Sequence, residues 1–453
     1  MTLLTLRENE TFAIGETFSG EGKKSVTHAQ VDALERLSQR LKAAKGGLFT
    51  HANRTTLKAR QYVGVVQLGA EAIEIIPKID GLDEKATRTN LFRMLARTRR
   101  LEIHEADIAR LAAQNLNILE IYIRLFCDKL FAEVHRGLIS RYERHTDNLP
   151  ALRGKLLTGL QATLNAFQPE RFRCEFDEFT VDTPLNRVLK TSVRLLRRVT
   201  RHGDNARRLA ELDFALDGVG DVPAAALEWH RLHFDRANRR YASLVAMARL
   251  ILQNRTQDVT AGGLEGFSLL FDMNELFEEY IGEMSRAVFT PLDWLVALQG
   301  PSRYLLQDRE SGAQVFQTQP DITGSRNGKP AWIIDTKWKR LDEQERNQGI
   351  AQTDVYQMLG YAHRYGVRDV FLLYPHHAET FSTAGLLRSF RVNAGAVGDK
   401  TSDSDQYIHV ASIDLTDLRT VPDALRAILE AAGIQPRPTQ FIHSGAYSAC
   451  SVQ

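Results

Sequence analysis

Asp335 and Lys337 stand two residues apart in the run Trp332-Ile333-Ile334-Asp335-Thr336-Lys337-Trp338. On an extended strand that spacing sends both side chains to one face, while Trp332, Ile334, Thr336 and Trp338 take the other, mostly apolar face. Two charges on so hydrophobic a strand are costly to bury unless they pair or bind a metal. Asp321 lies 14 residues upstream, in Gln319-Pro320-Asp321-Ile322, with Gly324, Asn327 and Gly328 between. Such residues make a natural hairpin connection, so Asp321 is expected beside Asp335 on a neighbouring strand. Two carboxylates with an adjacent lysine suit hydrolysis of a phosphodiester. The carboxylates would hold Mg²⁺, for which Mn²⁺ can substitute, and the metal would polarise the phosphate and acidify a bound water. Lys337 is suited to orient that water or to stabilise the charge developing in the transition state. The carbonyl of Thr336 is a plausible further metal ligand. On the Asp-x-Lys triplet alone, a surface hairpin with an ordinary salt bridge is the better account.

The flanking residues change that balance. Downstream, Gln357 and Tyr361 are four apart in a predicted helix and therefore share a face. Upstream, Asp272-Met273-Asn274-Glu275-Leu276-Phe277-Glu278-Glu279-Tyr280 opens another helix. Pro-Asp, a Gly/Asn turn, an apolar strand ending in Asp-x-Lys and a helix with Gln-x-x-x-Tyr together resemble the PD-(D/E)xK nuclease fold. That resemblance implies that Gln357 and Tyr361 line the DNA side of the site and that the upstream helix contributes a glutamate. Glu278 is the choice and Glu275 the runner-up, since a helix face alone does not decide between them.

Further stretches resemble the McrC family, the nuclease subunits of McrBC-type modification-dependent restriction systems. They include Tyr62-Val63-Gly64-Val65, Ile75-Ile76-Pro77-Lys78-Ile79, Leu152-Arg153-Gly154-Lys155 and Cys174-Glu175-Phe176-Asp177-Glu178-Phe179. Asp182-Thr183-Pro184-Leu185-Asn186-Arg187-Val188-Leu189-Lys190 and Asp354-Val355-Tyr356-Gln357-Met358-Leu359-Gly360-Tyr361 extend the likeness, which weakens before about residue 55 and after about 380. The resemblance implies an N-terminal region that docks into a hexameric ring of AAA+ GTPase subunits, McrB. It also implies a C-terminal nuclease domain acting on double-stranded, modified DNA. Two copies of the chain would pair to cut both strands.

The elements that must position these residues fall into a multidomain α+β pattern. Residues 1–82 read as a small β-rich, partner-docking domain: Tyr62–Leu68 and Ala72–Ile76 are β-branched runs around a Gly-containing turn, and one helix, Thr27 to Ala44, interrupts the unit. Residues 83–262 read as a mainly helical middle region. Leu116, Leu119, Ile123, Phe126, Leu130 and Val134 share one helix face, and the helical pattern is expected to run to the break at Asn148-Leu149-Pro150. A basic stripe, Arg187, Lys190, Arg194, Arg197, Arg198 and Arg201, opposes an apolar face on a further helix. It suits either a phosphate backbone or a solvated surface. Residues 263–434 read as the α/β nuclease domain, with helices at Asp272–Ala287 and Thr353–Tyr365. Its strands fall near Tyr304–Gln307, Gln314–Gln319, Ala331–Lys337 and Asp369–Tyr374. Residues 435–453 are polar and expected to fray.

Composition sets the outer bounds. The 453 residues carry 58 Lys+Arg against 56 Asp+Glu, so the net charge of +2 does not announce a nucleic-acid binder and any basic surface must be local. Cys127, Cys174 and Cys450 are too scattered for a disulfide framework or a zinc site, which fits a reducing compartment. No secretory signal or apolar run of membrane-spanning length is present in the sequence, and a cytoplasmic location is expected. Gly20-Glu21-Gly22-Lys23-Lys24-Ser25 is glycine-rich but has Thr17 where a phosphate loop needs Gly and Lys24 where it needs Ser or Thr. His376-His377 reads as a polar strand end. The leading expectation is a Mg²⁺-dependent DNA endonuclease subunit that is activated by an AAA+ partner and stimulates it. A stand-alone repair nuclease of the same fold and a non-catalytic activator of a AAA+ NTPase are the alternatives.

Overall fold

The computed structural model describes residues 2–19, 24–40, 47–69, 71–112, 114, 116–253, 266–393 and 405–435. The chain divides into two compact units, the first of residues 1–76 and 99–270 and the second of 77–98 and 271–453. The expected frayed tail, Cys450, and the Gly20–Lys23 part of the glycine-rich loop lie outside the described residues, as does the end of the helix expected to reach Ala44.

In the first unit the expected hairpin forms, Tyr62–Leu68 pairing antiparallel with Glu71–Ile76. The strand Thr2–Arg7 adds parallel to the outer side, and Gly266–Asp272 completes the four-stranded sheet. Gly64 is required there. Its φ is +132°, and a Cβ would stand 2.0 Å from the Leu269 carbonyl oxygen. A second four-stranded sheet from residues 11–59 and the helix His28–Arg40 share an apolar core that includes Leu34, Leu37, Leu57 and Ile73.

One stretch of the mainly helical middle region departs from the helical expectation. The helix Ile118–His135 presents the predicted apolar face but ends well short of Asn148, where Gly137 takes a left-handed φ of +91°. Arg141–Leu149 is instead a strand, paired antiparallel along its whole length with Phe172–Thr180. Its side chains are almost all polar or charged, so it lacks the apolar alternation that marks a strand in sequence. Helices Pro184–Val199, Gly203–Ala215 and Ala242–Gln253 account for the helical part.

The basic stripe on Pro184–Val199 is largely neutralised within the unit. Arg187 grips Asp182 with two 2.7 Å bonds, and Lys190 is buried against Asp221 and the Val219 carbonyl. Arg194 pairs with Asp213 and Asp221, and Arg197 with Asp213. Four of the six cations thus have acidic partners contributed by other segments.

The second unit holds the strand with the chemistry. Its elements are α1 (Glu84–Thr98), α2 (Met273–Phe289), β1 (Leu295–Leu298), β2 (Arg303–Gln307), β3 (Gln314–Thr318), β4 (Ile322–Arg326), β5 (Lys329–Thr336), α3 (Gln352–Tyr365), β6 (Asp369–Pro375), β7 (Gly385–Arg391), β8 (Tyr407–Ile413) and α4 (Val421–Ala431). Six strands form one mixed sheet in the order β1-β4-β5-β6-β8-β7, and β2 and β3 form a separate hairpin. The β4–β5 hairpin and the parallel β5–β6 and β6–β8 ladders bury β5 at the centre.

The period-two reading of β5 holds. On one face Trp332 packs edge-on against Phe289 of α2 and against Trp294, and Trp338 against Phe277. Gly324 on β4 makes room for the Trp332 ring, since a Cβ there would fall 1.9 Å from it. On the other face Ile333, Val370, Leu372 and Val410 pack with Met358, Tyr361 and Tyr365 of α3. Gly366, left-handed at φ +64°, ends α3. Beneath α2, Asn90 of α1 donates to the Leu415 and Thr416 carbonyls. Among the described residues, no helix is long and apolar enough to cross a membrane.

Candidate active site

Register builds the site. Ile322 pairs with Ile334 across the β4–β5 hairpin, which sets Asp321 opposite Asp335 at the end of the pair. Asp321 Oδ2 accepts from the Thr336 backbone N–H at 2.8 Å and from its hydroxyl at 2.9 Å. Asp335 is wholly buried, and its Oδ1 has no hydrogen-bond donor. Lys337 forms an ion pair with Asp335 and donates to Gln357 Oε1 at 3.2 Å. Gln357 Nε2 donates to the Tyr361 hydroxyl at 2.7 Å, and that hydroxyl donates to the Gln319 carbonyl at 3.0 Å. One chain of contacts therefore joins Asp335, Lys337, Gln357, Tyr361 and the backbone just before Pro320-Asp321.

Glu278 joins the site from α2, whose N-terminus is capped by the Asp272 side chain. Its Oε1 accepts from Gln299 Nε2. Gln299 was not singled out by sequence. It sits at φ +51°, donates its N–H to the Asp321 carbonyl at 2.7 Å and accepts from Gln319 Nε2 at 3.0 Å. A glutamine in the left-handed region is uncommon, and no feature of the sequence marks it. Glu275 is exposed on the helix surface, so the structure favours Glu278 over the runner-up.

Burial dominates the electrostatics. It lifts the Glu278 and Asp335 carboxyls to about 7, with the negative charge of Asp321 pushing each further the same way. Asp321 is also raised by burial, though its bonds from Thr336 and the nearby Lys337 oppose the shift. Burial pulls Lys337 down, but Asp335 and Asp321 outweigh it and hold the ammonium above its ordinary value. The Tyr361 phenol is raised, first by burial and then by Asp335, and stays a donor.

Among the described residues, no three His, Cys, Asp or Glu side chains converge closely enough to hold a metal ion by themselves. The donor set fits a different kind of ion. Among the described residues Asp335 Oδ1 is a buried oxygen without a donor, and the neighbouring carboxylates of Asp321 and Glu278 offer further oxygen ligands, with the Lys337 ammonium on the other side of the pair. Mg²⁺ binds through one or two carboxylates and keeps most of its waters. His377, read from sequence as part of a polar strand end, is buried against Asp80 at 2.8 Å.

A pH dependence follows from Glu278 and Asp335, with Asp321, Asp354, Glu279, Lys337 and Tyr361 as the surrounding charged and titratable groups. In the unfolded chain these carboxyls lose their protons near pH 4, whereas in the folded chain they keep them to about 7. Within that window the native state binds more protons than the unfolded one, so stability falls as pH rises and levels off above about 7. A cation that neutralises the site should restore stability mainly at the alkaline end. Thermal melting at about pH 5 and pH 8, with and without Mg²⁺, should show the larger Mg²⁺ effect at pH 8, shrinking in Asp335→Asn. Equal Mg²⁺ effects at both pH values would contradict the assignment.

No curated protein matches the chain. Among solved structures, a chain of the refined half-complex from a tetradecameric assembly of Thermococcus gammatolerans McrB AAA+ hexamers with bound McrC is similar in fold. It aligns with 95% of this chain and 100% of its own length, at 24% identity and a TM-score of 0.69. The cryo-EM structure of the Thermococcus gammatolerans McrBC complex aligns with 62% of this chain and 86% of its own, at 29% identity and a TM-score of 0.49. The sequence profile of the McrBC 5-methylcytosine restriction system component matches residues 57–375, most of both units. The chain belongs to the McrBC family.

Proposed function

We propose that the chain is the nuclease subunit of a McrBC-like restriction complex and that its second unit is a PD-(D/E)xK nuclease domain. The observation that supports this most directly is the buried Asp335, opposite Asp321 and paired with Lys337 at the end of a central strand. Burying three ionisable groups together is unfavourable for folding alone and is characteristic of sites that do acid–base or phosphoryl chemistry.

Each residue then has a task in phosphodiester hydrolysis. Lys337, kept cationic by Asp335, stabilises negative charge on the phosphate as the attacking oxygen adds. Gln357 and Tyr361 hold that ammonium in place and face the DNA. Glu278, whose proton affinity is lifted to about 7, accepts the proton of the attacking water while the bond to the leaving oxygen breaks. Thr336 anchors Asp321 through its N–H and hydroxyl, and its carbonyl completes the candidate metal ligands. Mg²⁺ bound to Asp321, Asp335 and the Thr336 carbonyl would supply Lewis-acid polarisation of the phosphate and a more acidic water.

The Thermococcus half-complex carries McrC bound to McrB AAA+ hexamers, and we propose a partner of that kind here, with modified double-stranded DNA as its track. The first unit offers a surface for it. Tyr142 and Phe179 are exposed, their rings packed against each other at a tilt with centroids 5.1 Å apart, and Phe167 and Leu164 are exposed on the segment between them in sequence. Large apolar side chains so displayed mark protein contacts. Copurification with the neighbouring-gene AAA+ protein and cleavage of methylated plasmid in GTP and Mg²⁺ test the reading. The double variant Tyr142→Ser/Phe179→Ser should lose most stimulation of the partner's hydrolysis, whereas Asp335→Ala should stimulate as well as wild type. Loss of stimulation in a folded Asp335→Ala protein would show that the two activities are not separable.

A further inference from the structure

Successive residues of a helix are turned by about 100°, so Gln352, Val355, Tyr356 and Leu359 lie on the opposite flank of α3 from Gln357 and Tyr361. On that flank the second unit holds a cavity of about 800 Å³. Leu372 of β6 and Val410 of β8 give it an apolar floor. Tyr356 on α3 and Phe390 on β7 line it while remaining 61% and 43% exposed, so neither ring is used up in the core. Arg346, Arg388 and Arg391 line it as well, and among the described residues no acidic side chain does. Arg391 is paired with Asp405 at 2.9 Å, but among the described residues Arg346 and Arg388 have no carboxylate partner.

The entrance is strained. Asn347 and Gln348, both lining the cavity, have φ of +55° and +59°, and Gly349 follows at +77°. Consecutive left-handed non-glycine residues are energetically unfavourable and persist where surrounding structure imposes them, often at ligand-gripping turns. Flat apolar surfaces, two uncompensated guanidinium groups and room for one nucleotide describe a single chemistry: a planar ring joined to an anion.

We propose that this cavity binds an unpaired nucleotide of a DNA strand, its base against Tyr356 and Phe390 and its phosphate on Arg346 and Arg388. The choice of DNA rests on the nuclease reading above; the demand for a base and a phosphate rests on the cavity alone. It holds a single-stranded segment against the same helix that presents Gln357 and Tyr361 to the duplex.

The test uses the full chain in EDTA, which prevents cleavage, and a fluorescent oligothymidylate of about six nucleotides. Anisotropy should show binding by wild type that is about tenfold weaker in Tyr356→Ala and in Phe390→Ala, and retained in Phe390→Trp, which keeps a stacking surface. Arg388→Ala should lower the slope of log affinity against log salt by about one contact's worth. Melting curves confirm that the variants fold. Undiminished binding by both alanine variants, or no binding by wild type, overturns the proposal. So does a variant that changes self-association in sedimentation while binding the oligonucleotide normally, since the cavity would then be a contact between copies. Duplex cleavage with the ring is read separately. Cleavage without oligonucleotide binding would refute the cavity and leave the nuclease reading standing, and the converse would refute only the nuclease.

Discussion

Asp335→Ala should abolish DNA cleavage, lowering the rate by about a thousandfold or more while leaving the fold and the partner interaction intact. Losing one group that stabilises developing charge commonly costs two to three orders of magnitude, and a metal ligand is lost with it. Asp335→Asn should be equally inactive, which separates the charge from the space the side chain fills. Each variant removes a carboxylate that burial disfavours but also leaves Lys337 without its ion-pair partner, so melting curves must accompany the cleavage assays. Lys337→Ala should also be inactive but should still bind the divalent cation, since the lysine is placed to act on the phosphate. Full cleavage by the purified Asp335 and Lys337 variants with the ring in Mg²⁺ would sink the site assignment.

Part of this site was legible because its signals are local. Two-residue alternation in Trp332–Trp338 and turn residues before it placed Asp321, Asp335 and Lys337 on paired strands, and the observed Ile322–Ile334 register agrees. The four-residue step from Gln357 to Tyr361 became a 2.7 Å hydrogen bond on one helix face. The choice of Glu278 over Glu275 was not local, because it depends on Gln299, a loop residue 21 positions away whose left-handed backbone nothing in the sequence announces. Thr336 was read for its carbonyl, yet the visible anchors to Asp321 are its N–H and hydroxyl.

The strand within the middle region escaped for a related reason. Arg141–Leu149 has no apolar alternation because its stability comes from pairing with Phe172–Thr180, more than twenty residues on. Likewise, helical spacing put the arginines of residues 187–201 on one stripe but could not show Asp182, Asp213 and Asp221 arriving from other segments to neutralise it. Periodicity reports which face a side chain takes and is silent about what meets it.

That neutralised stripe bears on how both strands of a duplex are cut. On the proposed nuclease reading, the single Asp321/Asp335/Lys337 centre would attack one phosphodiester at a time, and the two strands run antiparallel. Two centres related by a two-fold axis are the simplest way to cut both. A net charge of +2, with most of the local arginines paired internally, should leave the isolated chain with only modest, salt-sensitive affinity for DNA. Two DNA-bound rings would bring a second centre close and raise its effective concentration. Mixing active and Asp335→Ala chains at constant total concentration distinguishes this from an autonomous nickase. Random pairing makes double-strand cuts fall as the square of the active fraction. At one-tenth active chain, cuts should drop to about one-hundredth rather than one-tenth, with nicked circles accumulating from mixed pairs. If double-strand cuts instead fall only in proportion to the active fraction, and no nicks build up, each centre works alone and the paired arrangement is wrong.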